Sequence, residues 1–279
     1  MRPNDQGETR PSRPFTADQA WHHTAASPAK TVLFFDFDGV LSPVEDDPNA
    51  AQPVPEVTAA VAGLAEHVRQ ISLVSARPVD FLRDRLPTLD IPTLENVDFF
   101  GLYGLEHSRG HGETITEPDA LPFVPAMAEL AERARVELPE GALVEYKRLS
   151  VALHYRTSPH LAQQVEAWGR AEAERLGLKV QGGRMVIELK PPVDRDKGMV
   201  VRDAVGDARI AWYFGDDVSD IKAFNALRAR EAEDPGFFGV CVAVANPETG
   251  REVAGAADLT IDSPQALGKF LAAALQSLR

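Results

Sequence analysis

The chain has 279 residues, of which 44% are hydrophobic, enough to bury a core in one large domain or in a core with a smaller inserted domain. It contains 29 Lys and Arg residues and 42 Asp and Glu residues, and the resulting net charge of -13 argues against nucleic acid or an acidic membrane surface as a partner. Cys241 is the only cysteine, which excludes a disulfide framework and a cysteine-based metal site.

The first 29 residues carry four prolines among polar residues and have no apolar core of the kind that a signal peptide needs. We predict that this segment is a mostly disordered arm, and we expect no ligand at His22 or His23. Nowhere does an apolar stretch approach the ~20 residues of a membrane-spanning helix. We therefore expect a cytoplasmic protein without a membrane partner. A monomer is the working expectation, although nothing in the sequence specifies the oligomeric state.

The predicted folded part begins with two successive units, each a strand followed by a helix. The run 31–35 is continuously apolar, as in a parallel strand buried on both faces, and it ends at Asp36. Apolar residues recur every three or four positions over 53–70, which predicts a helix. A second short strand at 71–74 precedes a second helix at 79–86. This βαβ alternation indicates a parallel sheet.

The pattern changes between residues 105 and 191, which we interpret as an insertion with its own small antiparallel sheet. The sequence predicts two longer helices and three short strands there, at 122–137, 159–176, 142–145, 150–155 and 185–189.

The first pattern returns after the insertion. Helices are predicted at 197–205 and 264–278, and apolar strands at 210–214 and 238–244. The predicted fold is therefore an α/β core, 30–104 with 192–279, built on a doubly wound, mostly parallel sheet and carrying the inserted α/β domain 105–191.

Polar side chains follow three of the predicted strands. In open parallel sheets, ligands bind in the crevice beyond the carboxyl ends of the strands. Several carboxylates gathered there would repel one another unless a cation lay among them, and oxygen ligands in that number suit Mg²⁺. Taken singly, Asp-x-Asp-Gly is often a turn and Gly-Asp-Asp a helix cap, so the joint order of the residues carries the functional interpretation. The residues concerned are Asp36, Asp38, Ser75, Asp216, Asp217 and Asp220, with Lys197 at a helix start.

These residues, in this order, resemble the four motifs of the haloacid dehalogenase superfamily. The motifs are Asp36-Phe37-Asp38-Gly39-Val40-Leu41, Ser75, Lys197-Gly198 and Gly215-Asp216-Asp217-Val218-Ser219-Asp220. The inserted segment narrows the resemblance to the trehalose-6-phosphate phosphatases. It carries Tyr103-Gly104-Leu105-Glu106, Val144-Glu145-Tyr146-Lys147, Ala152-Leu153-His154-Tyr155-Arg156 and Val186-Ile187-Glu188-Leu189-Lys190-Pro191.

The resemblance implies a phosphatase with a phosphoaspartyl intermediate. Asp36 would attack phosphorus, and Asp38 would act as acid and base. Ser75 would donate a hydrogen bond to the phosphoryl group, and Lys197 would supply positive charge. The cofactor would be Mg²⁺, held by Asp36, Asp216 and the backbone carbonyl of Asp38. Asp217 and Asp220 would lie around the metal ligands.

The inserted segment would be a cap that closes over the site and selects the sugar. By resemblance, Glu106, Glu145, Lys147 and Glu188 would bind the sugar hydroxyl groups. His107 and Arg109 are further candidates for substrate binding, with a solvated loop as the alternative. His154 and Arg156 are equally compatible with a structural role between cap and core.

Four positions depart from the usual family pattern. Val40 stands where threonine is usual, Ala76 where glycine is common, Tyr103 where histidine is frequent, and Ile221 where an acidic residue often follows Asp220. None of these changes removes a residue with a proposed chemical role, and Ile221 bears on the surroundings of Asp220 and hence on metal affinity.

The resemblance implies a last step of trehalose biosynthesis, with trehalose 6-phosphate as the small-molecule substrate. Two alternatives remain open. The first is a phosphatase for another sugar phosphate, such as sucrose phosphate or a glycosyl phosphoglycerate. The second is a non-catalytic module that binds sugar phosphates for regulation, although Asp36, Asp38, Ser75, Lys197 and Asp216 are all present.

Overall fold

The structure is a computed structural model that describes residues 15–86, 96–247 and 249–278. In these residues the strands are β1 (Thr31–Phe35), β2 (Gln70–Val74), β3 (Val97–Gly101), β4 (Glu106–Arg109), β5 (Ile115–Thr116), β6 (Leu143–Tyr146), β7 (Val151–His154), β8 (Lys179–Gly183), β9 (Val186–Lys190), β10 (Ile210–Gly215), β11 (Phe238–Val244) and β12 (Leu259–Ile261). The α-helices are α1 (Ala17–Ala26), α2 (Pro55–Ala65), α3 (Val79–Arg85), α4 (Val124–Glu137), α5 (Ala162–Leu176), α6 (Lys197–Val205), α7 (Ile221–Glu233), α8 (Arg251–Ala256) and α9 (Pro264–Leu278). None of these helices is long and apolar enough to span a membrane.

The main sheet has the strand order β12-β11-β10-β1-β2-β3-β4-β5. All pairs from β12 to β3 are parallel, and β4 and β5 add an antiparallel edge. The chain runs from β1 toward β3 on one side and from β10 toward β12 on the other. The order therefore reverses at β1, which is where an open α/β sheet forms its ligand crevice.

Strand β1 is buried on both faces because helices cover both sides of the sheet. Leu33 and Phe35 belong to the cluster that α2 and α9 complete, whereas Val32 and Phe34 belong to the cluster that α6 and α7 complete. Alternate side chains of a strand point to opposite faces, so an uninterrupted apolar run is what such a position requires. The predicted doubly wound α/β fold is confirmed.

A second, antiparallel sheet has the order β6-β7-β9-β8. Residues of α4 and α5, among them Met127, Leu130 and Val165, form one buried cluster with Leu153 and Ile187 of this sheet. We call this sheet and its two helices the cap.

The predicted boundary of the insertion at residue 105 is wrong in one respect. Strands β4 and β5 belong to the main sheet, because Gly101 pairs with Glu106 and Asp98 with Arg109 in an antiparallel ladder. The cap sheet itself lies within 143–190. A short antiparallel extension of a parallel sheet is easily mistaken in sequence for the start of a new domain, since its strands carry alternating polarity.

The prediction that residues 1–29 are disordered is also wrong for its second half, while residues 1–14 lie outside the described part. Helix α1 begins with a capping box in which Thr16 and Gln19 bond reciprocally. Trp21 is buried and stacks on Trp212 of β10 at 4.2 Å between ring centroids. His22 is exposed, and the ring of His23 lies 4.9 Å from that of Phe238.

Candidate active site

Three polar strand ends meet where the sheet order reverses. Asp36 follows β1, Ser75 follows the neighbouring β2, and Asp216 follows β10 on the other side. The backbone N–H of Asp36 donates to the carbonyl of Phe214 at 3.0 Å, which continues the ladder one residue beyond the strand. Asp36 and Asp216 are therefore placed by sheet register and not by a flexible loop.

A lysine lies between two of the carboxylates. The Nζ atom of Lys197, the first residue of α6, donates to Asp36 Oδ2 at 2.5 Å and to Asp220 Oδ1 at 2.6 Å. Its side chain is 2% exposed. Although burial favours the neutral amine, Asp220 and Asp36 outweigh it and raise the pKa of Lys197, so the ammonium form is retained.

Asp220 holds the loop that carries Asp216 and Asp217. Its Oδ2 accepts from the backbone N–H of both residues at 3.0 Å, and its Oδ1 accepts from the Tyr213 hydroxyl at 2.7 Å as well as from Lys197. Each oxygen of Asp220 thus accepts two hydrogen bonds. Asp217 lines the cavity and caps the short turn that follows it.

Ligand oxygens of Asp36, Asp216 and Asp220 lie within 4.8 Å of one another in buried positions. Lys197 forms ion pairs with Asp36 and Asp220, and its positive charge also acts on Asp216. Burial raises the pKa of Asp36 to about 7, against the opposing effect of Lys197, and burial together with the charge of Asp36 raises the pKa of Asp216 well above its ordinary value. The site therefore favours an added positive charge.

The donor set fits a hard divalent cation such as Mg²⁺. Asp36 and Asp216 still have acceptor positions available, since a carboxylate offers about four lone-pair positions. Asp216 Oδ2 accepts from Asn246 Nδ2 at 2.8 Å, and Asp36 Oδ1 accepts from the N–H of Phe37 at 2.6 Å. Asp220 accepts hydrogen bonds from the loop, from Tyr213 and from Lys197, and its place around the metal ligands stays a prediction.

Gly39 allows Asp216 to approach the first motif. Its φ is +77°, and a Cβ atom there would lie 2.1 Å from Asp216 Oδ2. Any larger residue would displace the Asp216 carboxylate.

A cavity of about 170 Å³ opens above these residues and is shared between core and cap. From the core it is lined by Asp36, Asp38, Ser75, Arg77, Tyr103, Lys197, Asp216 and Asp217, and from the cap by Glu145, Lys147, His154, Arg156 and Glu188, among others. The structure thus brings together nine of the predicted site residues, Asp36, Asp38, Ser75, Lys197, Asp216, Asp217, Glu145, Lys147 and Glu188.

The cap residues form one connected network. Lys147 Nζ lies 3.2 Å from Glu188 Oε1 and 3.6 Å from Glu145 Oε2. Ser150 donates to Glu188 Oε1 at 2.6 Å. His154 bonds to Glu145 Oε2 at 2.9 Å. Burial alone would raise the pKa of Glu145, but Lys147, His154 and Arg77 overcome it and lower that pKa to about 2.

Tyr103 enters the cavity from a strained turn. Its φ is +59°, and the preceding Leu102 has a φ of +50°, a region that costs roughly 1 kcal/mol or more for residues with a side chain. The N–H of Tyr103 donates to the carbonyl of Ser75 at 2.9 Å, and the N–H of Leu102 to that of Arg77 at 3.0 Å. The Tyr103 hydroxyl donates to Glu188 at 3.2 Å, so this departure from the family pattern joins core to cap.

Three predicted substrate-binding residues do not line this cavity in the described part of the chain. Glu106 accepts from the N–H of Val79 at 3.0 Å, at the N-terminus of α3. His107 stacks on Phe100 at 4.5 Å, and Arg109 lies 4.0 Å from Asp98. Their roles in substrate binding stay predictions, and their contacts in this conformation are structural.

Two site residues escaped the sequence analysis. Arg77 donates two hydrogen bonds to Asp38 and one to Glu145, and Asn246 holds Asp216. Asn246 comes two residues after β11, and Arg77 comes three after β2. Both follow strands of the same sheet, which was the signal that could have found them.

Two other departures from the family pattern, Val40 and Ile221, are absorbed by packing. Val40 is buried in the core cluster beside β1, and Ile221 is a partly buried residue that packs against the cluster below α6 and α7. Asp220 keeps its full set of hydrogen bonds beside Ile221.

The sequence from residue 34 to residue 259 matches the family described as trehalose-phosphatase. The chain belongs to this family. Curated relatives include the trehalose-phosphate phosphatase of Mycolicibacterium paratuberculosis, which is 35% identical over 252 residues, covering 85% of this chain and 60% of the relative. The chain therefore spans about three fifths of the length of that relative.

Solved structures of trehalose-phosphatase family proteins and their superfamily share the fold. The C-terminal domain of the Candida albicans trehalose-6-phosphate phosphatase superposes with a TM-score of 0.74 at 19% identity, covering 94% of this chain and 97% of that domain. A haloacid dehalogenase-like hydrolase from Bacteroides thetaiotaomicron gives a TM-score of 0.58 at 15% identity, covering 87% and 98%. The predicted family is confirmed, and the fold is shared with these solved structures.

Proposed function

We propose that this protein hydrolyses trehalose 6-phosphate to trehalose and inorganic phosphate, as the last step of trehalose biosynthesis. The observation that carries the proposal is the shared cavity, in which a buried carboxylate and ammonium pair, Asp36 and Lys197, lies beneath a polar cap wall of Glu145, Lys147 and Glu188. Membership of the trehalose-phosphatase family and the activity for which the Mycolicibacterium paratuberculosis relative is named support the choice of substrate.

Asp36 is the nucleophile in this proposal. Its carboxylate attacks phosphorus and forms an acyl phosphate while the bond from phosphorus to the sugar oxygen breaks. Lys197, 2.5 Å away, supplies fixed positive charge where negative charge develops on the phosphoryl oxygens. Ser75, 1% exposed and lining the same cavity, donates a hydrogen bond to the phosphoryl group.

Asp38 moves the protons. It gives a proton to the departing sugar oxygen and later takes one from the water that attacks the acyl phosphate, so one carboxyl group serves both half-reactions. Its side chain is 33% exposed and lines the cavity, which leaves room for the sugar or the water beside it. The cap excludes bulk water and presents donors and acceptors to the sugar hydroxyl groups.

Mg²⁺ is the proposed cofactor, with Asp36, Asp216 and the Asp38 carbonyl as its protein ligands. When bound, it would neutralise charge on the phosphoryl group and hold that group in line with the nucleophile. A cytoplasmic location and a monomeric state stay expectations from the sequence.

The substrate is tested by phosphate release from trehalose 6-phosphate, sucrose phosphate, a glycosyl phosphoglycerate and glucose 6-phosphate, with Mg²⁺ and with a chelator. We expect kcat/KM for trehalose 6-phosphate to exceed that for the other esters by at least about 10-fold, and chelator to abolish turnover. A preference for another ester would transfer the assignment to that sugar. Binding of sugar phosphate without turnover would support a regulatory module instead.

The nucleophile is tested by D36N. The variant keeps the shape of the side chain but removes the attacking carboxylate, so we expect kcat to fall by at least about 10³-fold. Calorimetric titration with trehalose 6-phosphate should still show binding. An active D36N enzyme would overturn the covalent mechanism.

A further inference from the structure

Arg77 connects a core carboxylate with a cap carboxylate. Its Nε and Nη2 atoms donate to the two oxygens of Asp38 at 2.7 and 2.9 Å, and its Nη1 atom donates to Glu145 Oε1 at 3.0 Å. The guanidinium lies 4.7 Å from the centroid of the Phe81 ring, and the side chain is 8% exposed. Because the planar guanidinium is held by Asp38, Glu145 and the Phe81 ring, it fixes the plane of the Asp38 carboxylate.

The connection continues through the cap wall. Glu145 also contacts His154 and Lys147, and Lys147 contacts Glu188. Lys147 Nζ reaches back to the core at the carbonyl of Ala76, 3.4 Å away and next to Arg77. The groups that face the sugar therefore share a charged network with the group that orients Asp38, because Arg77 and Glu145 are direct partners.

We infer that Arg77 is a positioning residue that aims Asp38 at the departing sugar oxygen when Glu145 of the cap is in place. This inference rests on the proposed function. With the cap closed, Glu145 accepts from Nη1 of Arg77, while Nε and Nη2 of Arg77 align Asp38. Without Glu145 the guanidinium loses one of its partners, and the orientation of Asp38 is no longer fixed. Proton transfer is then tied to a covered, sugar-filled cavity.

The leaving group separates this role from a purely structural one. When Asp36 attacks trehalose 6-phosphate, the electron pair of the breaking bond goes to the sugar oxygen, a poor leaving group that needs the proton of Asp38. The nitrophenolate of p-nitrophenyl phosphate leaves as an anion and needs no proton. Misdirecting Asp38 should therefore slow formation of the acyl phosphate from the sugar ester and leave its formation from the aryl ester nearly intact. Hydrolysis of the acyl phosphate also uses Asp38, as base, but that step is the same for both esters, so release of the leaving group in the first turnover separates the two roles.

The experiment measures the rate of leaving-group release in the first turnover at saturating ester, together with kcat and KM, for native enzyme, R77Q, R77K, E145Q and D38N with both esters and Mg²⁺. We expect R77Q to lower the first-turnover rate for trehalose 6-phosphate by about 10²-fold or more but that for the aryl ester by no more than about threefold. R77K keeps the charge without the fork, so it should stay at least about 10-fold below native on the sugar ester. D38N sets the reference pattern for loss of the acid.

The cap connection is tested by E145Q and the double variant. E145Q should lower the first-turnover rate as well as raise KM on the sugar ester only. E145Q combined with R77Q should have the first-turnover rate of R77Q alone, because both act through Asp38. R85Q is the matched control. Arg85 lies over the same Phe81 ring, at 5.0 Å, and binds the carbonyl of Asn49 outside the cavity wall, so R85Q should leave the ratio of the two first-turnover rates unchanged.

Several results would overturn the inference. Equal losses of the first-turnover rate on both esters would place Arg77 in phosphoryl transfer or in folding, and a change in KM alone would make it a sugar-binding residue. A native first-turnover rate in R77K would show that charge suffices. If R77Q does not fold by circular dichroism, R77K and E145Q carry the test. Failure of the proposed function is distinct, since native enzyme would then show no preference for trehalose 6-phosphate over glucose 6-phosphate.

Discussion

Gly39 shows how a residue without a side chain sets the geometry of the site. Because a Cβ atom at this position would lie 2.1 Å from Asp216 Oδ2, G39A must push the Asp216 carboxylate away from Asp36. We expect the Mg²⁺ concentration for half-maximal activity to rise by at least about 10-fold, as it does when the orientation of a ligand is disturbed. A magnesium titration of phosphate release measures this value.

The matched control is G177A. Gly177 has a φ of +65°, like Gly39, but nothing lies within 4 Å of its added Cβ. Both variants therefore carry the backbone strain of roughly 1 kcal/mol, and only G39A carries the clash. Equal magnesium dependence in native enzyme and G39A would show that Asp216 does not bind the metal.

At the residue scale, the sequence predicted the charged centre because strand ends of one sheet must meet. It did not predict Arg77 or Asn246: position after a strand of the sheet makes both of them candidates, but it does not say where a long side chain or a loop turns. Nor could it show that Glu106 caps the N-terminus of α3 and that His107 stacks on Phe100, because those contacts depend on the antiparallel return of β4.

At the scale of elements, α1 is held by tertiary contacts. Trp21 stacks on Trp212, and the Nε1 atom of Trp212 donates to Thr24 Oγ1 at 2.9 Å. We expect W21A to lower the free energy of unfolding by about 3–5 kcal/mol, the usual cost of removing a buried large aromatic. Urea unfolding measures the change. H22A alters an exposed neighbour and should stay within about 0.5 kcal/mol of native.

Helix α1 was missed for a physical reason. The prolines of the first 14 residues dominate the composition of the arm, and only 3 of the 10 helix residues are buried, Ala20, Trp21 and Thr24. If W21A were as stable as native protein, the contacts of α1 would contribute nothing to stability, as expected for the disordered arm that the sequence predicted. By contrast, the sequence predicted the observed bounds of four elements, β1, β11, α6 and α9. Their apolar side chains are buried in the core of the main sheet, so the apolar pattern in the sequence marks where each element begins and ends.

At the scale of the whole molecule, metal and pH act on the same charges. The pKa of Asp36 rises from 3.8 to about 7, so between these pH values the folded chain holds a proton that the unfolded chain has released. Stability contributed by this group is therefore lost as the pH rises from about 4 to about 7 in chelator. Mg²⁺ binds the ionised form and should flatten that dependence.

Thermal unfolding of native enzyme and D36N across this pH range measures the effect. In chelator, the native melting temperature should fall relative to that of D36N as the pH rises, because asparagine has no proton to lose. With Mg²⁺ the native enzyme should gain stability most at the upper end of the range. Parallel profiles for the two proteins in chelator would contradict the raised pKa of Asp36.

The reversal of strand order at β1 also dictates when the sheet can be completed. Strand β1 pairs with β10, so residues 31–35 cannot complete their pairing until residues 210–214 have been synthesised. The cap sheet is formed entirely by residues 143–190. On a ribosome the cap can fold while β1 still lacks one neighbour, and the emerging chain exposes an unpaired apolar strand edge for that interval. Pulsed hydrogen exchange during refolding should find amides of β7 and β9 protected before those that β1 and β10 share.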